Sequence, residues 1–152
     1  MSHMYSFKKR QGFTIVELLI VIVVIGILAT LVIVTFTGIQ QRARDTARKT
    51  DINAVASHLE AYYASNGSYP LLADINTQAW RTANMKGLDP EALKDPKGAA
   101  STLVSGASTV SAYGYTVTGD AGADCSATPD TCTVYALQAT LETGGTYDKQ
   151  SN

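Results

Sequence analysis

The sequence predicts an α+β protein in which a long N-terminal helix, apolar in its first half, carries a small antiparallel β-sheet head packed on its C-terminal half. Three observations support this prediction. Residues 18–36 form a run of 19 residues without a charge. Residues 39–63 then repeat apolar side chains every three to five positions, the spacing of a helical face. Polar and apolar residues alternate in two later segments, residues 111–118 and 131–142. Both segments are also rich in Tyr, Val and Thr, which is typical of strands.

Composition argues against several classes of protein. The 152 residues hold 12 Lys and Arg against 13 Asp and Glu; with Lys8, Lys9 and Arg10 set aside, nine bases face 13 acids, unlike a protein that coats nucleic acid. The chain has only two histidines, His3 and His58, and two cysteines. A zinc site needs three or four good ligands, so a structural zinc is not expected. A Ser-His-Asp or Cys-His catalytic set would have to use one of the two histidines, and no motif surrounds His58. We therefore expect no enzyme activity and no cofactor.

Residues 13–39 are long and apolar enough to cross a membrane. About 20 apolar residues in a helix span the roughly 30 Å core of a bilayer, and Glu17 is the only charge in this segment. The bases at positions 8–10 precede it, which predicts a cytoplasmic N-terminus and an exported C-terminal part. A cleaved secretory signal, a plain single-pass anchor and a buried core helix are the alternatives. The run is too long for the first, Glu17 is unexplained by the second, and so small a chain could not surround the third.

The segment from Lys8 to Leu19, Lys-Lys-Arg-Gln-Gly-Phe-Thr-Ile-Val-Glu-Leu-Leu, resembles the class III signal peptide of type IV pilins and pseudopilins. The basic leader, the Gly12–Phe13 junction, Glu17 and the long apolar run carry the resemblance together. It implies that a prepilin peptidase removes residues 1–12 and methylates the new amine of Phe13. It also implies a single-pass protein of the inner membrane, its N-terminus cytoplasmic, which an assembly platform transfers into an extracellular filament of identical subunits.

Glu17 has a physical role in this interpretation. Cleavage after Gly12 creates a cationic amine at Phe13, and an unpaired charge is costly in an apolar filament interior. The Glu17 carboxylate of a neighbouring subunit would neutralise that amine through a charge-assisted hydrogen bond and so set the axial register between subunits. In the alternative interpretation, Glu17 only caps its own helix.

Residues 40–66 are expected to continue the helix as an amphipathic segment, which the helix breakers at residues 65–70 end. A basic cluster lies near its start and consists of Arg42, Arg44, Arg48 and Lys49. One interpretation is a weak contact with DNA or with lipid headgroups. The other is a solvated helix face, or ion pairs with acids of adjacent subunits. The acidic balance of the remaining chain favours the second, so nucleic acid is an unsupported partner.

Residues 67–152 are predicted to form the globular head, with an αβ-loop followed by antiparallel strands. Residues 73–84 fit a short helix within the αβ-loop. The two alternating runs form the expected antiparallel pair, and either residues 102–104 or residues 146–147 would supply a third strand. A head of this size has a small core, so we expect it to need the helix to complete that core.

The loop between the two predicted strands carries Cys125 and Cys132, which six residues separate. In an exported domain this spacing favours a disulfide over two free thiols. Asp120, Asp124 and Asp130 lie in the same loop, and certain pseudopilins bind calcium with carboxylates of a head loop. No regular calcium-loop spacing is present, so we expect solubilising acids and no metal, with calcium as the minor alternative.

These features together predict the structural subunit of a type IV pilus, which polymerises through its apolar helix and catalyses no reaction. The alternative within the family is the major pseudopilin of a type II secretion system or of a DNA-uptake filament. Two further hypotheses are a minor pilin that captures DNA, which would bind DNA weakly and with a steep salt dependence, and a membrane-anchored enzyme, which would need a motif around His58.

Overall fold

The computed structural model describes residues 12–126 and 128–151, so residues 1–11 of the predicted leader lie outside the described residues. The chain divides into two compact units, one ending at Ile39 and the other beginning at Gln40. The first unit contains the apolar segment. The second contains the amphipathic helix and the head, and each unit has its own architecture.

Helix α1 extends from Ile15 to Asn66, close to the predicted range of 13–66. It begins after a capping box, in which Thr14 and Glu17 exchange hydrogen bonds between side chain and backbone. It ends where Gly67 adopts a positive φ of 76° and donates its N–H to the Tyr63 carbonyl at 2.7 Å, a conformation that glycine enters at little cost.

The apolar part of α1 exposes its large side chains over residues 15–36. Its hydroxyl groups are nevertheless satisfied within the helix, because each threonine hydroxyl donates to a carbonyl one turn earlier: Thr30 to Ile27, Thr35 to Leu31 and Thr37 to Val34. The hydroxyl groups of these threonines therefore need no water as a partner, which suits an apolar environment.

Two short helices replace the predicted helix over residues 73–84. Helix α2 covers Leu72–Asn76 and helix α3 covers Gln78–Asn84. The prediction of one helix is wrong at Thr77, whose extended backbone (φ −87°, ψ 113°) separates the two. This break lets the side chain of Asn76 bridge to the backbone N–H and C=O of Leu103, contacts that a continuous helix would not orient in this way.

The sheet has four strands in the order β1-β2-β3-β4, with bounds β1 Val104–Ser105, β2 Gly114–Thr118, β3 Val134–Thr140 and β4 Thr146–Gln150. The predicted antiparallel pair is confirmed as β2 and β3. Both candidates for a third strand join the sheet, one on each side. However, β1 pairs with β2 in parallel, so the sheet is mixed and not purely antiparallel.

The core of the second unit lies between the amphipathic part of α1 and the sheet, as predicted. Alternate residues of β3 are buried, which is the period-two pattern of a strand with one covered face. The buried side chains that form this interface come from α1 (Ile52, Val55, Leu59), β2 (Tyr115) and β3 (Tyr135, Leu137, Ala139), with Tyr113 beside them.

Candidate functional site

The N-terminal segment places the residues of the Gly12–Phe13 junction beside the start of α1. Phe13 is 90% exposed. Glu17 accepts hydrogen bonds at Oε2 from the Thr14 amide (2.9 Å) and the Thr14 hydroxyl (2.7 Å), while the Glu17 amide donates to the Thr14 hydroxyl (3.2 Å). The capping interaction that the sequence left as the alternative role of Glu17 is therefore present.

The cap uses only one of the two carboxylate oxygens of Glu17. Both bonds from Thr14 go to Oε2, and within the described residues no hydrogen bond is made to Oε1. An ionised carboxylate has about four lone-pair sites. Glu17 can consequently cap its own helix and still accept a donor from outside the chain, so the two roles do not exclude each other.

By length and composition α1 could cross a membrane. The most apolar stretch of 18 residues has a mean hydropathy of 3.3, and none of it is buried within the chain. A core helix of a soluble protein would be covered by its own chain, which this segment is not. The exposed apolar surface therefore requires lipid or another protein to cover it.

The basic cluster has a different role from the predicted one at two of its four members. Arg48 is completely buried and donates to Asp95 (2.6 and 3.0 Å), to Asp45 (2.8 Å) and to Glu142 (3.0 Å). Arg44 forms a two-pronged pair with Glu142 at 2.6 and 2.7 Å. Arg48 is therefore too deeply buried to contact DNA or lipid, while Arg44 stays partly exposed. The acids that pair with both arginines belong to their own chain.

The other two members of the cluster are exposed. The ammonium of Lys49 lies 5.8 Å from the centre of the Tyr147 ring, and Arg42 has no ion pair within residues 12–126 and 128–151. Weak contact with DNA or lipid stays a prediction for Arg42 and Lys49. Two exposed cations form a much smaller electropositive surface than the four that the sequence indicated.

The buried ion cluster connects α1 with two segments of the head, around Asp95 and around Glu142. Asp45 on α1 accepts from the amides of Glu142 (2.8 Å) and Thr143 (3.0 Å) and from the Thr143 hydroxyl (2.7 Å). Lys97 adds an ion pair to Glu142 at 2.8 Å. Because every buried side-chain N or O atom among the described residues has a partner, the cluster is fully satisfied and orders the β3–β4 turn against α1.

The acids of this cluster stay ionised far into the acid range. Burial acts to raise the pKa of Asp45, but the hydrogen bonds from Thr143 and from the Glu142 amide outweigh it and lower the pKa to about 2. Hydrogen bonds from Arg44 hold the pKa of Glu142 well below its usual range, against a smaller opposing effect of burial and with further help from Lys97. Both carboxylates thus stabilise the fold as anions.

The predicted disulfide between Cys125 and Cys132 is confirmed, and both residues are buried. The Cys132 carbonyl accepts the Tyr69 amide at 2.7 Å, so the disulfide loop is held against the segment that follows α1. Tyr69 in turn donates its hydroxyl to Glu60 on α1 at 3.0 Å. The disulfide therefore belongs to the scaffold that connects helix and sheet.

The acids of the disulfide loop have local partners. Asp124 accepts the Ser126 amide at 2.9 Å, and Asp120 accepts the Thr133 hydroxyl. The side chain of Asp130 lies outside the described residues. Within the described part of the chain, no group of three or more His, Cys, Asp or Glu side chains is placed to hold a metal ion, so the calcium interpretation has no support there.

Sequence reasoning missed Asp45, Asp95 and Glu142 as partners of the basic cluster. Asp95 lies 47 residues from Arg48, and Glu142 lies 94 residues from it. The sequence signal that could have indicated a buried pair is local: Asp45 and Arg48 have the i,i+3 spacing on the same face of α1 as Ile52.

Comparison with known proteins adds to this geometry. Residues 7–33 match the family described as the prokaryotic N-terminal methylation motif, a segment that includes the Gly12–Phe13 junction and Glu17. Type II secretion system core protein G of Pseudomonas aeruginosa is 38% identical over 63 residues, which are 41% of this chain and 44% of that protein.

Both comparisons therefore support the resemblance of this chain to type IV pilins and pseudopilins.

Further proteins similar to this chain have the same name. Core protein G of Aeromonas hydrophila is 41% identical over 64 residues, 41% of this chain and 45% of that protein. Core protein G of Escherichia coli is 37% identical over 67 residues, 44% of this chain and 46% of that protein. The chain thus spans less than half the length of these relatives, and no solved structure matches it. The names agree better with the alternative prediction, a type II secretion pseudopilin, than with a type IV pilus subunit.

Proposed function

We propose that this chain is the major pseudopilin of a type II secretion system, a structural subunit that polymerises and has no enzymatic role. The similarity to core protein G of several bacteria carries this proposal. In it, a prepilin peptidase cleaves after Gly12 and methylates the amine of Phe13. The exposed apolar part of α1 anchors the subunit in the inner membrane until assembly.

The exposed apolar surface supplies the driving force for the polymer. In the membrane, lipid covers residues 15–36; in the filament, the same residues of neighbouring copies replace lipid. A contact of this kind between unlike faces of identical subunits does not close on itself and generates a helical filament. Because apolar contacts of this kind have little directional preference, a polar contact is needed to select one register among many.

We propose that Glu17 makes the polar contact that selects the register between neighbouring subunits. Its Oε1 atom has no partner within the described residues, while Oε2 holds the capping bonds of Thr14. The cationic amine of Phe13 on a neighbouring copy can donate to Oε1 without breaking the cap. A hydrogen bond to a charged group contributes about 1.5–3 kcal/mol, which corresponds to roughly tenfold or more in the population of the correct register.

Two matched variants separate the capping role of Glu17 from its charge. Glu17→Gln keeps an oxygen that can cap the helix but removes the negative charge. Thr14→Val has nearly the shape of threonine and removes both hydroxyl bonds of the cap, while the Glu17 carboxylate stays. Mass spectrometry of the processed chain checks cleavage and methylation, and sheared filaments measure assembly.

We expect Glu17→Gln to be cleaved normally and to assemble roughly tenfold less, and Thr14→Val to assemble like the wild type. Equal loss in both variants would show that only the cap matters, and normal assembly of Glu17→Gln would refute the charge pairing. Deletion of the gene in its own organism tests the secretion role, because loss of secreted proteins is expected. Intact secretion with loss of surface filaments would instead identify a pilus subunit.

A further inference from the structure

Arg81 is a buried cation outside the ion cluster. It lies on α3, its residue surface is 7% exposed, and its Nη1 atom donates to the Ile75 carbonyl at the end of α2 at 2.6 Å. Arginine is almost never so deeply buried unless it is paired with an acid. Within residues 12–126 and 128–151, Arg81 forms no ion pair, in contrast to Arg48.

The pKa of Arg81 agrees with the lack of an acidic partner. Burial lowers the pKa of Arg81, and no neighbouring carboxylate raises it. In addition, no buried side-chain nitrogen among the described residues lacks a hydrogen-bond partner. The Nε and Nη2 groups of Arg81 make no bond to the described chain, so neither is completely buried. Arginine stays protonated at all ordinary pH values, so this edge of the guanidinium is a permanent positive charge.

The space that Arg81 lines is a half-open cavity of about 280 Å³, which we call the Arg81 pocket. Its polar lining comes from Gln78 and Thr82 on α3 and from the exposed Lys86 beyond it, while Met85 and Leu88 form an apolar wall. Within the described chain, Lys86 also has no ion pair. The volume is at the lower limit of small-molecule sites, so the pocket fits one small group and not a large ligand.

We infer that the Arg81 pocket binds a single oxyanion group, a carboxylate or a phosphate. The free edge of a guanidinium offers two parallel N–H donors in the geometry that such a group accepts. Lys86 adds a second positive charge at the mouth, and the apolar wall reduces the screening of these charges by water.

The acidic balance of the head suggests where this group comes from. Residues 40–152 hold nine Lys and Arg against 12 Asp and Glu. In a filament of identical subunits, acidic side chains of other copies are therefore one available source of such a group. The oxyanion group in the pocket could therefore come from a carboxylate of a second copy or from a small soluble anion. Both would accept the same hydrogen bonds from Arg81.

The test uses the full processed chain in detergent micelles and follows the Nε–H signals of its arginines by NMR. Inorganic phosphate, acetate and chloride are titrated at constant ionic strength. We expect the Arg81 signal to shift saturably with phosphate and acetate and not with chloride. Equal, non-saturating responses to all three anions, or no response, would overturn the inference.

Variants make this test specific to the pocket. Lys86→Gln should weaken phosphate binding roughly twofold to fivefold, since exposed charges contribute modestly. The matched control Lys94→Gln removes an equally charged side chain that pairs with Glu91, and it should change nothing. Arg81→Lys keeps the charge but loses the two parallel N–H donors of the guanidinium, so it should bind phosphate more weakly. If Arg81→Lys fails to fold, the comparison of Lys86→Gln with Lys94→Gln still decides, and identical affinities in those two would count against the pocket.

A filament assay distinguishes the two sources of the oxyanion, and this part rests on the proposed function. Lys86→Glu places an acid at the mouth of the pocket. Reduced assembly of correctly cleaved Lys86→Glu protein supports a carboxylate of a second copy as the occupant. Normal assembly together with lost phosphate binding supports a small soluble anion. The titration uses unassembled protein, so its failure is distinguishable from failure of the filament proposal.

Discussion

Replacing Arg48 by methionine is expected to destabilise the head severely. Arg48 is the only described residue that bonds to all three acids of the buried cluster, namely Asp45, Asp95 and Glu142. The side chains of Arg48 and Asp95 are both 0% exposed, so water cannot replace the lost bonds without a change in structure. Methionine fills much of the space of the arginine stem, which isolates the loss of charge from the loss of packing.

The magnitude follows from the burial of the partners. Removing one member of a buried pair typically costs 3–5 kcal/mol, about 4 kcal/mol here, because the acids that remain are uncompensated. For a unit of this size, about 1 kcal/mol corresponds to roughly 4 °C in Tm, so Arg48→Met should unfold about 12–20 °C lower than the wild type.

Thermal unfolding of the full chain in detergent micelles measures this shift. Trp80 is the only tryptophan and lies on α3, so its fluorescence follows the head and not the apolar segment. Arg42→Met is the matched control, since Arg42 is exposed and its loss should change the free energy of unfolding by about 0.5 kcal/mol or less. A Tm of Arg48→Met equal to that of Arg42→Met would refute the view that the ion cluster holds the head together.

Three further predictions concern the head. Replacing Cys125 and Cys132 together by alanine should cost about 2.5 kcal/mol, because the short loop no longer restricts the unfolded chain, and the shift of the urea midpoint measures this. The folded-state pKa values of Asp45 and Glu142 lie below their ordinary values of 3.8 and 4.5, so their contribution to stability is present above about pH 4.5 and lost as the pH falls towards 2; an increase of the unfolding free energy on acidification would contradict this. Gly114→Ala should cost about 1–3 kcal/mol and weaken the β1–β2 pairing, since its Cβ would overlap the backbone of residues 106–108, and amide hydrogen exchange at β1 would detect the change.

Features that depend on neighbouring residues were predictable. The Gly12–Phe13 junction and Glu17 lie within six consecutive positions, so their pattern is visible without any fold. The helical spacing gave the bounds of α1 within two residues, and alternation identified β2 and β3. The disulfide followed from the short separation of its two cysteines, although free thiols stayed open until the structure paired them.

The direction of β1 and the break in the αβ-loop could not be predicted in the same way. Strand β1 has only two residues, which are too few to show alternation. Its parallel pairing with β2, Val104 opposite Gly114, depends on the path of the connecting residues 106–113, which the sequence pattern does not show. Likewise, Thr77 is compatible with a helix by its own preference. The contacts of its neighbour Asn76 with Leu103 decide the break, and they involve a segment 27 residues away.

The sequence by itself determined the length of the apolar helix, the processing motif and the existence of a β-sheet head, because each of these depends on the spacing of residues that are close together in the chain. Only the tertiary structure decided which charges are surface and which are buried. In sequence, Arg42, Arg48 and Arg81 are equivalent cations; in the fold, the first is exposed, the second is buried among three acids, and the third is buried without one. The physical reason is that the cost of a charge depends on its solvation and its partners, and two of the three acidic partners of Arg48 lie 47 and 94 positions away in the chain.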